Sequence, residues 1–405
     1  MAPQRSTVLT LIAAYLGLFI GLVDANAVNL ALPAIGGDLG GGVTGAQWTI
    51  DAYNVTFAAF LLTAGSLGDR FSRRRMLRIG LGTFATAAAS STALGPLLGG
   101  ALAETVGWRW IFWVNVPVCA LALAASVTHL PDSRDPDAAR IDRLGQLLAV
   151  LALGSATLVL VEGHDWPWPQ TVAVGAIALA AVGGFLASQR RNPHPMLPLD
   201  LFTGRRLVGA LLATFTMTFG IYGLLLVNSF AFQQLRGFSA LETAAWFLPM
   251  AIVYLALIPV VNALARRTGP RLPMATGLVL MAAGSLLYAA AGPHAAIGWL
   301  ELSFVLAGAG LALNTGPAVT LAMAAIPVRR AGLAAGVVNL SRLLGITVGV
   351  AVLGSAMTVV GGAAGVRTAL LLGALCQLVG AVLALSLTRH TPAPTVAIGK
   401  ESCHA

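Results

Sequence analysis

The sequence predicts an all-α polytopic membrane protein with about twelve transmembrane helices. Of its 405 residues, 57% are hydrophobic and only 10% are charged, which is too little polar surface to coat a soluble globule of that length. Apolar runs of about 20 residues, enough to cross a hydrocarbon core of about 30 Å, recur along the whole chain with short loops between them. The net charge of +9 is spread over many loops, so no nucleic-acid partner is indicated.

A short basic loop at 65–78 sets the orientation of the predicted helices. It holds five arginines and one aspartate between two long apolar runs, too much charge to lie in hydrocarbon. Loops rich in arginine stay in the cytoplasm, so the chain descends into the cell before this loop and climbs out after it. Counting from this loop puts both termini on the cytoplasmic side of the cell membrane.

Twelve apolar runs follow one another with alternating direction. Their approximate bounds are 9–32, 48–68, 79–103, 111–129, 144–161, 171–188, 207–231, 244–265, 273–291, 296–326, 331–360 and 368–387. Two further observations agree with this assignment. Of the 24 lysines and arginines, 20 fall on the cytoplasmic side, and all eight tryptophans fall at outer ends, as in an aromatic belt.

The connecting segments divide the chain into parts. Arg5, the apolar core after it and Ala25-Asn26-Ala27 imitate a signal peptide, but the first run is too long for a signal core. The glycine-rich stretch 36–45 follows no strand, so we interpret it as a flexible outer linker and not as a phosphate cradle. We expect a first half of four helices at 1–130, an inserted helix pair and linker at 131–206, a six-helix half at 207–388, and a cytoplasmic tail at 389–405.

Six motifs resemble those of the fourteen-helix drug:proton antiporters of the major facilitator superfamily. The basic loop has the pattern G-x-L-x-D-R-x-x-R-R-x-x-L, with Ser72 where the family usually has glycine. The stretch 24–33 resembles D-x-T-x-x-N-x-A-L-P, with Asn26 replacing threonine. The other similar stretches are 95–100, 140–145, 232–239 and 332–342. The resemblance implies that superfamily's fold and export of lipophilic, often cationic, drug-like small molecules in exchange for protons, with no cofactor.

Three polar residues inside apolar runs are candidates for proton and substrate coupling, because such residues are costly in a bilayer. Asp24 lies about 15 residues beyond Leu9, or about 22 Å along a helix, and matches the acid of the family's helix-one motif. Asn29 belongs to the same motif, and Arg342 lies near the middle of its run. The alternatives are a structural acid neutralised by a neighbouring helix, and a structural cation bound by helix-end carbonyls.

The basic loop is also predicted to act as a conformational latch. Asp69 would pair with nearby arginines and helix ends in one conformation and release them in the other. The residues concerned are Gly65, Asp69, Arg70, Arg73 and Arg74. The stretch 262–271 repeats part of this pattern, with Arg266 in place of Asp69. A solvated loop that merely sets topology is the alternative interpretation.

Two weaker sets complete the candidate sites. The glycine-proline stretch, Gly95, Pro96, Gly99 and Gly100, resembles the antiporter motif, whose small residues let helices approach closely. Asp51 and Glu301 lie close to the outer ends of their runs. We expect water to reach both acids, at the mouth of a pathway.

The first half lacks two helices' worth of chain relative to the family it resembles. In that family the glycine-proline motif belongs to helix five, whereas here it lies in the run directly after the basic loop. That run, 79–103, is about 37 Å long as a helix and crosses the membrane once. It is interpreted as the start of helix three joined to the end of helix five near 88–92, which predicts a cavity without one wall and weak or absent export.

Other classes of protein fit less well. No histidine pair with i, i+4 spacing and no phosphate-binding loop occurs in the sequence, so we expect no enzyme. Cys119, Cys376 and Cys403 have no metal-ligand spacing. The remaining rival to a transporter is a protein of the same fold that does not transport, either a defective remnant or a scaffold. The expected partners are the lipid bilayer, a drug-like molecule and protons.

Overall fold

The computed structural model describes residues 28–29, 31–38, 41–52, 54–55, 100–114, 116–117, 120, 142–193, 195, 197–292, 294–326 and 331–388. We number its helices in chain order as α1 (Arg109–Trp113), α2 (Arg143–Glu162), α3 (Trp168–Arg191), α4 (Arg205–Phe230), α5 (Ala240–Thr268), α6 (Arg271–Ala291), α7 (Ile297–Ala324), α8 (Ala331–Val360) and α9 (Gly362–Leu387). A 3-10 turn, Leu199–Thr203, precedes α4, and a π-helical turn, Ala231–Leu235, continues it.

Eight helices in this part of the chain are long and apolar enough to cross a membrane, and they coincide with the last eight predicted runs. The protein is therefore an integral membrane protein. Among these eight, the largest difference in a boundary is at α9, which begins at Gly362 and not near residue 368. Gly361 and Gly362 have φ angles of 75° and 52°, which glycine adopts without steric cost, so one residue suffices to reverse the chain.

The first half is described in three stretches. The end of the first run is helical at 31–38, and the second run begins with residues 42–52, 54 and 55, which we call the Gln47 helix. Residues 100–105, which we call the Glu104 segment, are the helical end of the third run. The glycine-rich stretch between the first two runs is thus helical at 36–38 and 42–45, and the interpretation as a flexible linker is wrong there.

The inserted pair α2–α3 is a closed hairpin. At one end the Asp142 side chain accepts a hydrogen bond from the Gly145 backbone and caps α2, and Gln189 of α3 donates to the same carboxylate over 2.6 Å. At the other end the Thr171 hydroxyl donates to the Gly163 carbonyl over 3.0 Å. The two helices are therefore hydrogen-bonded to each other at both ends.

The second half is a six-helix bundle with α4 as its most buried member. Apolar burial drives little association inside a bilayer, so close packing and interhelical hydrogen bonds hold the helices together. A Cβ on Gly223 of α4 would lie 2.8 Å from the Gly349 carbonyl oxygen of α8. The Ser341 hydroxyl donates to Leu211 over 2.7 Å, and the Asn314 amide of α7 donates to Met274 of α6 over 3.3 Å.

The two ends of the bundle differ in composition. One end, which we call the tryptophan end, holds the Gln47 helix, the end of α2 and the start of α5, together with tryptophans such as Trp48, Trp108 and Trp246. The opposite end holds arginines at the start of α2, α4 and α6 and at the end of α3 and α5. These are Arg143, Arg190, Arg191, Arg205, Arg206, Arg266, Arg267 and Arg271.

Candidate functional site

Many of the predicted functional residues lie outside the described part of the chain. They are Asp24, Gly65, Asp69, Arg70, Arg73, Arg74, Gly95, Pro96 and Gly99. Their roles in coupling, in the latch and in the antiporter motif remain predictions. Asn29, Asp51, Gly100, Glu301 and Arg342 are described, and the structure places each of them.

Asp51 is buried, and the expectation that water reaches it is wrong. Its exposed fraction is 0%, and neither carboxyl oxygen has a hydrogen-bond partner in the described structure. The reason is that its helix begins about six residues before the predicted start, so Asp51 lies about 13 Å inside the helix and not at its end. An ionised carboxylate without water or donors is very costly, so this closed arrangement favours the neutral acid.

The Gln47 helix joins the two halves of the protein. The Gln47 side chain donates to the carbonyl oxygens of Val350 and Ala351 of α8, over 3.1 and 2.9 Å. Residues four apart share one face of a helix, so Asp51 lies on the face that Gln47 turns towards α8. The buried acid is therefore at the contact between the halves, where a relative movement of the halves would change its surroundings.

Arg342 lies near other polar side chains inside the second half. Tyr254 on α5 lies close to Thr315 on α7, and it is within electrostatic reach of Arg342 on α8 and of Tyr222 on α4. Four helices of the bundle thus place polar side chains in the same region of its interior. Tyr254 is buried, whereas Arg342 is half-buried.

The Glu104 segment makes a second contact between the halves. A Cβ on Gly100 would lie 3.0 Å from the Ala240 carbonyl oxygen and 3.2 Å from the Ala244 Cβ, so a larger residue here would press against the start of α5. A few residues later, the Glu104 carboxylate accepts a hydrogen bond from the backbone N–H of Leu241 over 3.2 Å. This N–H belongs to the first turn of α5, which has no intrahelical acceptor for it.

The tryptophan end also carries an exposed ion pair. Asp38 accepts hydrogen bonds from the indole of Trp108 over 3.0 Å and from the guanidinium of Arg109 over 2.9 Å. The Trp108 hydrogen bond, together with the hydrogen bond and charge of Arg109, lowers the pKa of Asp38 from its ordinary value of 3.8. Glu301 lies at this end too, half-buried in the second turn of α7, and Asn29 is buried in the first half.

A cavity of about 190 Å³ opens near the tryptophan end. It lies between the two halves, because Val43 of the Gln47 helix faces Phe230 of α4 and Met357 and Thr358 of α8 across it. Its lining is mostly apolar.

Sequence reasoning missed Gln47, Glu104 and Tyr254. Gln47 and Glu104 lie at the edges of apolar runs, where polar residues are ordinary, and Tyr254 lies within a run as a common aromatic residue. A polar residue four positions before Asp51 was the available signal for Gln47.

Comparisons with known proteins agree on one family. The family model of the Major Facilitator Superfamily matches residues 14–92 and 85–350. The chain is 32% identical to the multidrug resistance protein Stp of Mycobacterium tuberculosis (87% of this chain, 76% of Stp). It is 29% identical to the drug efflux pump JefA of the same species (88% and 81%). It is 28% identical to the tetracenomycin C resistance and export protein of Streptomyces glaucescens (86% and 75%).

Solved structures share the fold at low sequence identity. A bacterial homologue of the human lysosomal transporter Spinster has a TM-score of 0.57 at 14% identity, over 94% of this chain and 97% of that one. A POT family transporter in complex with a thioalcohol-conjugated peptide has a TM-score of 0.59 at 12% identity, over 95% and 97%.

The relatives contain residues that this chain lacks. The alignment with Stp has 411 positions but spans only 87% of the 405 residues, or about 352. About 59 positions of that alignment therefore hold no residue of this chain. The two stretches that match the family model, 14–92 and 85–350, overlap at residues 85–92.

Proposed function

This chain belongs to the Major Facilitator Superfamily, and we propose that it exports lipophilic, often cationic, small molecules in exchange for protons. Relatives named as multidrug resistance and drug efflux proteins, aligned over most of the chain, support drug export. The twofold relation of the halves in this fold supports alternating access, in which the halves rock about a central site.

The buried carboxyl group of Asp51 carries the proposal of proton exchange. In the closed arrangement of the tryptophan end this group is shielded from solvent and has no hydrogen-bond partner in the described part of the chain, so the neutral acid is favoured. Separation of the Gln47 helix from α8 would admit water and favour the ionised form. Protonation and conformation would therefore be coupled, which is what proton-driven export requires.

The other predicted residues fit this cycle as proposals. Asp24 would exchange a proton against the cationic substrate, with Asn29 beside it in the same motif. Arg342 would respond to charge in the cavity. Asp69 and the arginines of the basic loop would close the opposite end as a latch, on the cytoplasmic side. The arginines gathered at that end in the described structure support this orientation and cytoplasmic termini.

A second candidate function is a membrane-inserted protein that transports weakly or not at all. The second helix of the first half contacts α8, which is the fifth helix of the second half. A twofold axis would then pair the second helix of the second half, α5, with the fifth of the first half. The segment that contacts α5 is the Glu104 segment, although it is only third in the chain.

This order of contacts supports the loss of two helices between the third and fifth positions. The overlap of the two family matches at 85–92 supports this loss as well. The roughly 59 positions of the Stp alignment at which this chain has no residue agree with it. A cavity that lacks those two helices would lack one wall, and export would be weak.

Vesicles containing the purified protein would test these functions against each other. An imposed proton gradient should drive extrusion of a fluorescent cationic dye if the chain is an antiporter, and Asp51→Asn should abolish the extrusion. Asp165→Asn is the matched control, because Asp165 is an exposed acid at the same end. Dye extrusion at the rate of an intact antiporter would contradict the second candidate. Extrusion that Asp51→Asn leaves unchanged would contradict the role of Asp51.

A further inference from the structure

Three helices from three parts of the chain meet at the tryptophan end. The indole N–H of Trp48, on the Gln47 helix, donates to the Glu162 carboxyl group of α2 over 2.6 Å. The Ser355 hydroxyl, on α8, donates to the Leu160 carbonyl of α2 over 3.0 Å. The inserted pair is thus hydrogen-bonded to both halves at once, through its residues 160 and 162.

Both bonds use groups with few alternatives. The indole N–H of tryptophan is a donor only, so it needs an acceptor such as the Glu162 carboxyl oxygen. Leu160 lies in the last turn of α2, where helix geometry leaves carbonyl groups without an intrahelical donor. Breaking either contact leaves a half-buried polar group without its partner, which costs free energy unless water replaces it.

The contact lies where the halves already touch. Gln47, next to Trp48, donates to α8 directly, and it packs so closely against Gly354 that a Cβ at that position would overlap its side chain. If the Gln47 helix moved away from α8, α2 could stay with the Gln47 helix or with α8, but not with both. The hydrogen bond of α2 to Trp48 or its hydrogen bond to Ser355 would then have to break.

We propose that the inserted pair α2–α3 is a clamp that holds the tryptophan end closed, with its positioning residue Glu162 bound to Trp48 of the first half and its Leu160 carbonyl bound to Ser355 of the second half. The hairpin is suited to this because Thr171 at one end and Gln189 at the other hold its two helices together. The clamp rests on the proposed function only in assuming that this end opens.

Thiol labelling of a buried reporter tests the clamp without requiring transport. Ala46 on the Gln47 helix is fully buried, so Ala46→Cys reports opening of this end in protein whose three native cysteines are replaced by alanine. The purified protein in nanodiscs is reacted with a water-soluble maleimide. We expect Glu162→Ala and Trp48→Phe each to raise the labelling rate about tenfold. Glu162→Gln, which keeps an acceptor oxygen, should label like the parent.

Two controls keep the test decisive. Asp165→Cys, exposed at the same end, should label at one rate in every background, which separates opening from reagent access. If Glu162→Ala fails to insert, Trp48→Phe and Ser355→Ala carry the test. Unchanged labelling in both of those variants would overturn the clamp, and so would equal labelling of Glu162→Gln and Glu162→Ala. A failure of dye extrusion would contradict the proposed function, but it would not change the labelling rates of Ala46→Cys, which are measured without transport.

Discussion

Replacing the buried acid by an apolar residue should stabilise the protein while it abolishes coupling. In Asp51→Leu the unpaired carboxyl group disappears from a site with 0% exposure, which removes a desolvation cost of about 1 to 3 kcal/mol. The larger leucine side chain costs about 1 kcal/mol in overpacking. We therefore expect the free energy of unfolding to rise by about 1 kcal/mol, and the apparent Tm in detergent to rise by a few degrees.

Asp51→Asn is the matched variant, because it keeps the size and polarity of the side chain and leaves the amide equally unpaired. Its Tm should stay near that of the parent, and dye extrusion should be lost in both variants. The assay is thermal unfolding followed by tryptophan fluorescence, with proton-driven dye extrusion in vesicles alongside. If Asp51→Leu and Asp51→Asn both lowered the Tm clearly, the carboxyl group would have a stabilising partner, and the argument from its isolation would fail.

Four further predictions concern other sites. Asp24→Asn should abolish export of cationic dyes at unchanged membrane levels, and undiminished proton-driven export would remove Asp24 from the mechanism. An impermeant thiol reagent should leave Cys403 unlabelled in intact cells whose other cysteines are replaced; labelling would show that the predicted topology is wrong. Because the folded-state pKa of Asp38 is lowered, its contribution to stability is present above pH 3.8 and lost as the pH falls through the folded value. Asp38→Asn should remove that part of the acid dependence of unfolding, and an identical profile in the variant would contradict it. Gly100→Leu should weaken the contact with α5 and raise maleimide labelling at Ala46→Cys; unchanged labelling would argue against a closure there.

The sequence by itself determined the class of protein, the last eight spans and the segregation of arginine and tryptophan to opposite ends. These properties depend on local composition, because a span needs only enough consecutive apolar residues and a loop needs only its charges. The boundary of α9 was missed by about six residues, since glycine reverses the chain without the polar residues that usually mark a loop. The fused third run stays a prediction, and it rests on the order of two motifs in the sequence.

Only the tertiary structure decided which residues form the site. The burial of Asp51 depends on where its helix begins and on which helix packs over it, and neither is a property of the residues around it. Arg342 and Tyr254 are far apart in the chain, and the folding of the second half brings them within electrostatic reach of each other. The contacts of α2 with Trp48 and Ser355 likewise join three separate segments. Such pairings follow from close helix crossings at particular small residues, and the hydrophobicity pattern along the chain does not predict them.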